Sequence, residues 1–262
     1  MEKTRLDILL VEHGLVDSRS LAERLVMAGQ VRVDGQVLLK PSIRVANTAD
    51  LTVDHGPQFV SRGGEKLASA LEAFGMLDLT GLVCADIGAS TGGFTDCLLQ
   101  HGADRIFAVD VGHGELHWKL RNDPRVSVME QTNARTVIGF PQAVDLVTVD
   151  ASFISLRILL PVIHSWFKEG AGQVVALIKP QFEAGRADAA RGQGVIRDPE
   201  IHRQVLHTVL EAARIVGFGV QGLIRSPLLG PKGNVEFLVY LKIPSGANLS
   251  IADLVNQVVI SP

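Results

Sequence analysis

Apolar residues along the chain follow two rhythms. From Leu6 to His13 they recur at helical spacing and stop at Gly14, a residue type that ends helices readily. A second helical stretch begins near Ser18, carries Leu21, Ala22, Leu25 and Val26 on one face, and stops at Gly29. Val31-Arg32-Val33 and Val37-Leu38 then flank Asp34-Gly35, a pair suited to the two left-handed positions of a tight hairpin. Two short helices and a hairpin predict a small α+β unit over residues 1–55, too small to be an enzyme core. Turn formers crowd the segment from Asp54 to Gly64, and residues 56–62 read as a linker. Over residues 63–262 the rhythm changes. Glu65–Phe74 predicts a helix, and apolar strands near 82–88, 104–110, 125–129, 144–149 and 173–178 then alternate with helical stretches, clearest at 154–167 and 199–216. The last apolar runs, 217–225 and 235–242, have only a turn between them and predict an antiparallel hairpin closing the sheet. This alternation implies an α/β fold with a parallel, doubly wound sheet and right-handed crossovers.

Composition narrows the class. With 262 residues, 47% of them hydrophobic, the chain has enough apolar surface for one α/β core and a small satellite. No run approaches the length of a membrane span, and Met-Glu-Lys-Thr at the start lacks the apolar stretch of a secretory leader. Cys84 and Cys97 are the only cysteines and sit in apolar segments, so a disulfide framework is not expected and a reducing cytoplasm is. No Cys or His falls at a metal-ligand spacing, so no metal is expected, nor a membrane partner. The net charge of −3 argues mildly against nucleic acid, and over residues 1–62 eight Lys and Arg are offset by eight Asp and Glu. An RNA-binding surface has to come from segregating charge by face.

One loop carries chemistry. Asp86-Ile-Gly-Ala-Ser-Thr-Gly-Gly-Phe94 follows an apolar strand and opens a helix, at the edge where open α/β sheets hold ligands. Its spacing fits neither a dinucleotide fingerprint, since position 90 is Ser, nor a phosphate-cradling loop, since it has no Lys. Gly88 permits a turn, Gly92 and Gly93 allow close approach of backbone to ligand, and Ala89, Ser90, Thr91 and Phe94 complete the loop. Asp86 before the glycines suits an ammonium-bearing ligand without phosphates, which describes the methionine part of S-adenosylmethionine. The second strand ends at Asp110 and Val111, and a carboxylate about 20 residues beyond the glycines is placed to accept hydrogen bonds from two ribose hydroxyls. Asn133, after the third strand, is a candidate for the adenine edge, and Phe153 for packing on the adenine or on a target base.

Several of these motifs resemble a known family. Asp86–Phe94, Ser61-Arg-Gly-Gly-Glu-Lys66, Asp150-Ala-Ser-Phe-Ile-Ser155, Lys179-Pro-Gln-Phe-Glu183 and Gly233-Asn-Val-Glu236 are similar to the TlyA family. Its members are ribosomal RNA 2′-O-methyltransferases with an FtsJ-like, Rossmann-like catalytic domain, often labelled hemolysins. The front unit, through Arg5-Leu-Asp, Ser18-Arg-Ser, Ala28-Gly-Gln-Val and Lys40-Pro, resembles the alpha-L RNA-binding motif of that family. The resemblance runs to about residue 243. It implies S-adenosylmethionine as cofactor, ribosomal RNA or a ribosomal subunit as partner, a cytidine as the target, and a catalytic tetrad at Lys66, Asp150, Lys179 and Glu236. Asp150 is also expected at the cofactor.

The residues agree with that placement. Asp150 and Lys179 end the fourth and fifth strands, so both should project over the cofactor edge. A ribose 2′-hydroxyl is a poor nucleophile until its proton is leaving, and a Lys accepts a proton only in its neutral form, which burial and a neighbouring ammonium favour. Lys179 is expected to act as base or to steer the hydroxyl, Lys66 to tune it, and Asp150 and Glu236 to orient the lysines. Arg5, Arg19, Arg24 and Lys40, at helix starts and the hairpin end, are the cations expected to meet RNA phosphates. Arg186, Arg191 and Arg197, in the Gly-rich loop beyond Lys179, are further candidates. Three functions compete: the RNA 2′-O-methyltransferase, a non-catalytic ribosome-binding or assembly factor, and a membrane-lytic protein. A complete tetrad favours the first over the second. The absence of a strongly basic amphipathic helix weighs against the third. Methylation of a base is set aside because the chain has no Asn-Pro-Pro-Tyr-like or Cys nucleophile motif. A monomer is the expectation, though the sequence does not fix oligomeric state.

Overall fold

The computed structural model describes residues 2–54, 56–167, 170–185, 192–244 and 249–259. The chain forms two compact units, Met1–Gln58 and Phe59–Pro262.

In the first unit, β1 (Lys3–Arg5) leads into α1 (Leu6–Glu12), followed by α2 (Arg19–Met27). Ser18 caps α2 by accepting a hydrogen bond from the Leu21 amide. The hairpin of β2 (Val31–Val33) and β3 (Gln36–Val37) turns at Asp34 and Gly35, with φ of 50° and 78°, the turn geometry that matches the twist of flanking strands. Two further strands complete the unit and, like β1, are absent from the sequence reading. β4 (Arg44–Ala46) pairs with β1, and β5 (Leu51–Val53) with the other edge of β2. Each is three residues long, too short for a period-two pattern to register. Leu6, Leu9, Leu10, Ala22, Val26 and Val31 form the core.

Asp7 is fully buried beside that core. Its carboxylate accepts from Arg5 Nε at 3.0 Å and Arg5 Nη2 at 2.7 Å, and from Arg19 Nε at 3.0 Å. The Arg5 guanidinium, helped by Arg19, holds this carboxyl down at about 2. Because the folded value lies below the unfolded one, the contribution is complete above the ordinary carboxylate range and is lost as pH falls through about 2. Both arginines are solvent-accessible, so screening reduces it to on the order of 1–2 kcal/mol. Asp7→Asn is therefore expected to cost about that much at neutral pH and to flatten the acid dependence of the first unit. Hydrogen exchange of the α1 and α2 amides at neutral pH and near pH 3 measures both effects.

The second unit contains α3 (Gly63–Ala73), β6 (Val83–Ile87), α4 (Gly93–Gln100), β7 (Arg105–Val109), α5 (Trp118–Arg121), β8 (Val126–Met129), β9 (Leu146–Val149) and α6 (Leu156–Trp166). It continues with β10 (Gly172–Ile178), α7 (Pro180–Glu183), α8 (Pro199–Val216), β11 (Gly219–Arg225), β12 (Phe237–Ile243) and α9 (Ile251–Val258). The seven strands lie in the order β11-β12-β10-β9-β6-β7-β8. The five from β6 to β10 run parallel, and β12 is antiparallel to both its neighbours. Every residue of β9, at the centre, is buried, as expected for a strand covered on both faces.

The end of the chain adds to the sequence reading in one respect and corrects it in another. β11 and β12 do pair antiparallel, but β12 inserts between β10 and β11 and leaves β11 at the edge. The cause is visible in burial: Phe237, Leu238, Val239 and Leu241 are all essentially inaccessible, so β12 needs cover on both faces, whereas β11 is partly exposed. The connection between them is also more than a turn. It spans residues 226–236, includes a short 3-10 turn at Pro231–Gly233, and helps build the site.

Candidate active site

The parallel strands β6, β9 and β10 end at Ile87, Val149 and Ile178, so Gly88, Asp150 and Lys179 emerge side by side at one edge of the sheet. Antiparallel β12 enters at that same edge. Its first residue, Phe237, pairs with Ile178, which sets Glu236 next to Lys179 along the sheet. Lys66, in the first turns of α3, completes the group.

Two ion pairs result. Lys66 Nζ lies 2.6 Å from Glu236 Oε2, with Glu236 wholly buried and Lys66 nearly so. Gln181 Nε2 donates to the other carboxylate oxygen at 3.3 Å. Lys179 Nζ lies 2.6 Å from Asp150 Oδ1 and donates to Ser152 Oγ at 2.9 Å and to the Asp150 carbonyl at 3.4 Å. The Lys179–Asp150 side-chain contact is close but out of hydrogen-bond alignment, which leaves Oδ1 with acceptor capacity. Both lysines, Glu236 and Asp150 line one cavity of about 450 Å³, together with Gly88, Ala89, Ser90, Thr91, Gly93 and Phe94.

A second cleft of about 690 Å³ adjoins it and shares Gly88, Ser90 and Asp150 with the first. Asp110, Val111, Asn133 and Phe153 line it, with Ile158 and Leu159 as apolar walls. Asp110 accepts from the Ser90 amide at 2.8 Å and the Gly112 amide at 2.7 Å. A carboxylate has about four lone-pair positions, so it can accept from two ribose hydroxyls as well. Asn133 Oδ1 accepts from the Arg135 amide and caps a 3-10 turn, so its acceptor is already engaged. Phe153 is 91% exposed, with φ of 64°, and its ring tilts against Phe182 at 4.9 Å. It is not a core aromatic, and an exposed ring held in a left-handed backbone is an unfavourable arrangement in the absence of a ligand.

Three sequence expectations shift. Asp86 does not reach either cavity. It is fully buried, its carboxylate accepts from the hydroxyls of Thr95 at 2.7 Å and Thr148 at 2.9 Å, and burial pushes it up to about 6. It braces β6 against β9 and α4. The glycines serve contacts within the protein. A Cβ on Gly88 would stand 2.7 Å from the Asp150 carbonyl oxygen; one on Gly92 would overlap Leu120, and one on Gly93 would overlap Ser61. Ligand approach does not require Gly92, which lines neither cavity. Finally, Arg5 and Arg19 pair with the buried Asp7 yet keep 35% and 55% of their side chains accessible, while Arg24, in the last turn of α2 rather than at a helix start, and Lys40 are exposed. Arg186 and Arg191 lie outside the described residues.

The sequence reading passed over Ser152, Gln181 and Glu183, all within motifs it had noted. Glu183 is the most structural of them. Its carboxylate accepts from Ser155 Oγ at 2.6 Å and the Leu156 amide at 2.7 Å, and so ties the segment after β10 to the segment after β9. Burial raises its carboxyl above the usual range. No periodicity marks such residues, because their partners are 27 and 28 positions away.

Known proteins show the same architecture. The FtsJ-like methyltransferase profile matches residues 59–243. The chain belongs to the FtsJ-like methyltransferase family. An S4 domain profile matches residues 4–49, within the first compact unit. The chain is 44% identical over 262 residues to the 16S/23S rRNA (cytidine-2′-O)-methyltransferase TlyA of Mycobacterium tuberculosis, covering 98% of this chain and 96% of that one. It is 40% identical over 244 residues to Hemolysin A of Brachyspira hyodysenteriae, covering 91% of this chain and all of the other. A solved structure from Streptococcus thermophilus, provisionally named a hemolysin, is 43% identical with a TM-score of 0.71, covering 98% of this chain and 96% of that chain. As an FtsJ-like methyltransferase with methyltransferase neighbours in fold, the chain is an enzyme of methyl transfer. Among the described residues no helix is long and apolar enough to cross a membrane.

Proposed function

We propose that this FtsJ-like enzyme transfers the methyl group of S-adenosylmethionine to the 2′-hydroxyl of a cytidine ribose in ribosomal RNA. One observation carries the reading: two lysine–carboxylate pairs, one buried and one with its carboxylate partly open to solvent, face a cavity that shares Gly88, Ser90 and Asp150 with a nucleoside-sized cleft. The nature of the acceptor follows from the TlyA relatives, which are named for that reaction. Acting on ribosomal RNA, the enzyme works in the cytoplasm.

The cleft fits the cofactor. Asp110 would take the ribose hydroxyls, the apolar walls at Val111 and Ile158 would sandwich the adenine, and the Gly88–Thr91 loop would hold the methionine end. When bound, the cofactor supplies an electrophilic methyl on a sulfonium. Lys179 faces the acceptor hydroxyl and either withdraws its proton or steers it, with Ser152 and Asp150 fixing the amine. Lys66 and Glu236 line the same cavity beside it, and Gln181 keeps Glu236 in register. Much of the rate comes from holding oxygen in line with methyl and sulfur. Phe153 packs on the adenine or on the target base. In the S4 domain, Arg5, Arg19, Arg24 and Lys40 contact phosphates, the first two oriented by Asp7.

The direct test supplies purified ribosomal subunits and methyl-labelled cofactor, then maps 2′-O-methyl groups. Label on one or a few cytidine riboses is expected. Label on a base, or lysis of lipid vesicles without any label in RNA, would replace this reading with another. Asp110→Ala should weaken S-adenosylmethionine binding by about 10–100-fold in calorimetry, the size expected for losing hydrogen bonds to a charged acceptor. Unchanged affinity would move the cofactor out of this cleft.

A further inference from the structure

Beside the catalytic cavity lies a third concavity, of about 500 Å³, lined by Gly192, Gln193, Val195, Arg197 and Lys232. Among the described residues its lining holds two cations and no carboxylate. Arg197 and Lys232 are both exposed, and neither makes an ion pair among the described residues. The acidic neighbour of Arg197 in the chain, Asp198, is engaged elsewhere: it caps α8 by accepting from the Glu200 amide at 2.9 Å. By contrast, both lysines of the catalytic cavity are matched with carboxylates.

The concavity is built rather than incidental. Asn234 is 3% exposed and staples its two walls together. Its Oδ1 accepts from the Ile196 amide at 3.0 Å, while Nδ2 donates to the Gly194 carbonyl at 2.9 Å and to the Pro231 carbonyl at 3.2 Å. One buried amide thus fixes the loop that carries Arg197 against the turn that carries Lys232. The turn is continuous with the catalytic cavity, which Gly230 and Pro231 line. Lys232 sits at φ of 60°, which a lysine adopts at a cost.

We propose that Arg197 and Lys232 form a phosphodiester subsite for the RNA strand, one step outside the acceptor pocket, with Asn234 as the residue that sets their spacing. The inference rests on the reading of the enzyme as an RNA methyltransferase. A strand whose ribose enters the catalytic cavity carries phosphates immediately on either side, and two cations without an ion-pair partner among the described residues, on walls held together by Asn234, give one of them a seat. Arg supplies a planar fork and Lys a point charge, a combination that grips a phosphate without reading a base.

The test is the salt dependence of RNA affinity, measured by equilibrium binding to purified ribosomal subunits over a range of KCl. Each phosphate contact contributes roughly 0.7–0.9 to the slope of log affinity against log salt. Arg197→Gln with Lys232→Gln should reduce the slope by about 0.7–0.9, the share of one phosphate, and weaken binding roughly 5–10-fold near 0.1 M salt. Affinity for S-adenosylmethionine, melting temperature and kcat at saturating RNA should match the unmodified enzyme, so the defect appears in KM alone. Arg197→Lys should keep most of the slope. A full slope in the double variant overturns the subsite, as does a loss of kcat with the slope intact. Binding is read without turnover, so a protein that binds with the expected slope yet methylates no RNA counts against the assigned reaction, and an active enzyme with unchanged slope counts against the subsite.

Discussion

Replacing Lys179 by alanine is expected to slow single-turnover methylation of ribosomal subunits by about 10²–10⁴-fold, the range for loss of a positioned proton-transfer group. Fold, cofactor affinity and RNA affinity should change little, because the amine acts on the hydroxyl proton on the way to the transition state. The structure adds two reasons. Nζ is fixed by Ser152 Oγ and the Asp150 carbonyl, so no other side chain occupies its place. Its carboxylate partner, Asp150, is partly open to solvent, with 22% of the side chain accessible, so the truncated site can rehydrate and folding is spared. Lys179→Arg is expected to fail as well: a guanidinium does not accept a proton at working pH, and its planar fork does not fit a seat shaped for one nitrogen. Substantial activity in the Arg variant would assign Lys179 to steering by charge. Near-normal activity in the Ala variant would remove Lys179 from the mechanism altogether.

The Lys66–Glu236 pair should behave differently, because it is buried on both sides. Glu236→Ala leaves an ammonium in the interior with no carboxylate, and Lys66→Ala leaves the carboxylate. Breaking a buried pair in this way costs about 3–5 kcal/mol, so each single variant should be strongly destabilised as well as inactive. The informative protein is the double variant, Lys66→Met with Glu236→Leu. Replacing both charges with apolar groups of similar size is commonly close to neutral, so most of the stability should return. Part will be missing, because Gln181 loses its acceptor. Activity should stay absent. A double variant that folds normally and methylates RNA would show that the pair only supports the structure. Chemical denaturation beside single-turnover rates in the same preparations gives both readings.

Much of this protein is written in local sequence. Alternating apolar runs dictate a doubly wound sheet because strand and helix periods differ, and each helix satisfies its own backbone while each strand must pair with neighbours. The Asp34-Gly35 hairpin, the Ser18 cap, and the helix of α8 between Asp198 and Gly217 all follow from neighbours a few positions apart. The placement of Gly88, Asp150 and Lys179 was equally legible, since a residue that ends a parallel strand must lie at the carboxyl edge of the sheet.

Tertiary structure decided the rest. That Glu236 reaches Lys66, 170 positions away, depends on β12 inserting antiparallel beside β10, and only burial on both faces of β12 enforces that order. Asp86, read as a ligand for an ammonium group, instead braces two threonines, because the end of its strand is sealed by Thr95 and Thr148. Arg5 and Arg19, read as phosphate-binding cations, also hold the buried Asp7 between them. The glycines of the cofactor loop owe their absence of side chain to Asp150, Leu120 and Ser61, neighbours that no local pattern names. In each case the deciding partner lies far along the chain, and whether a polar group meets water, a ligand or another side chain is settled only when the layers pack.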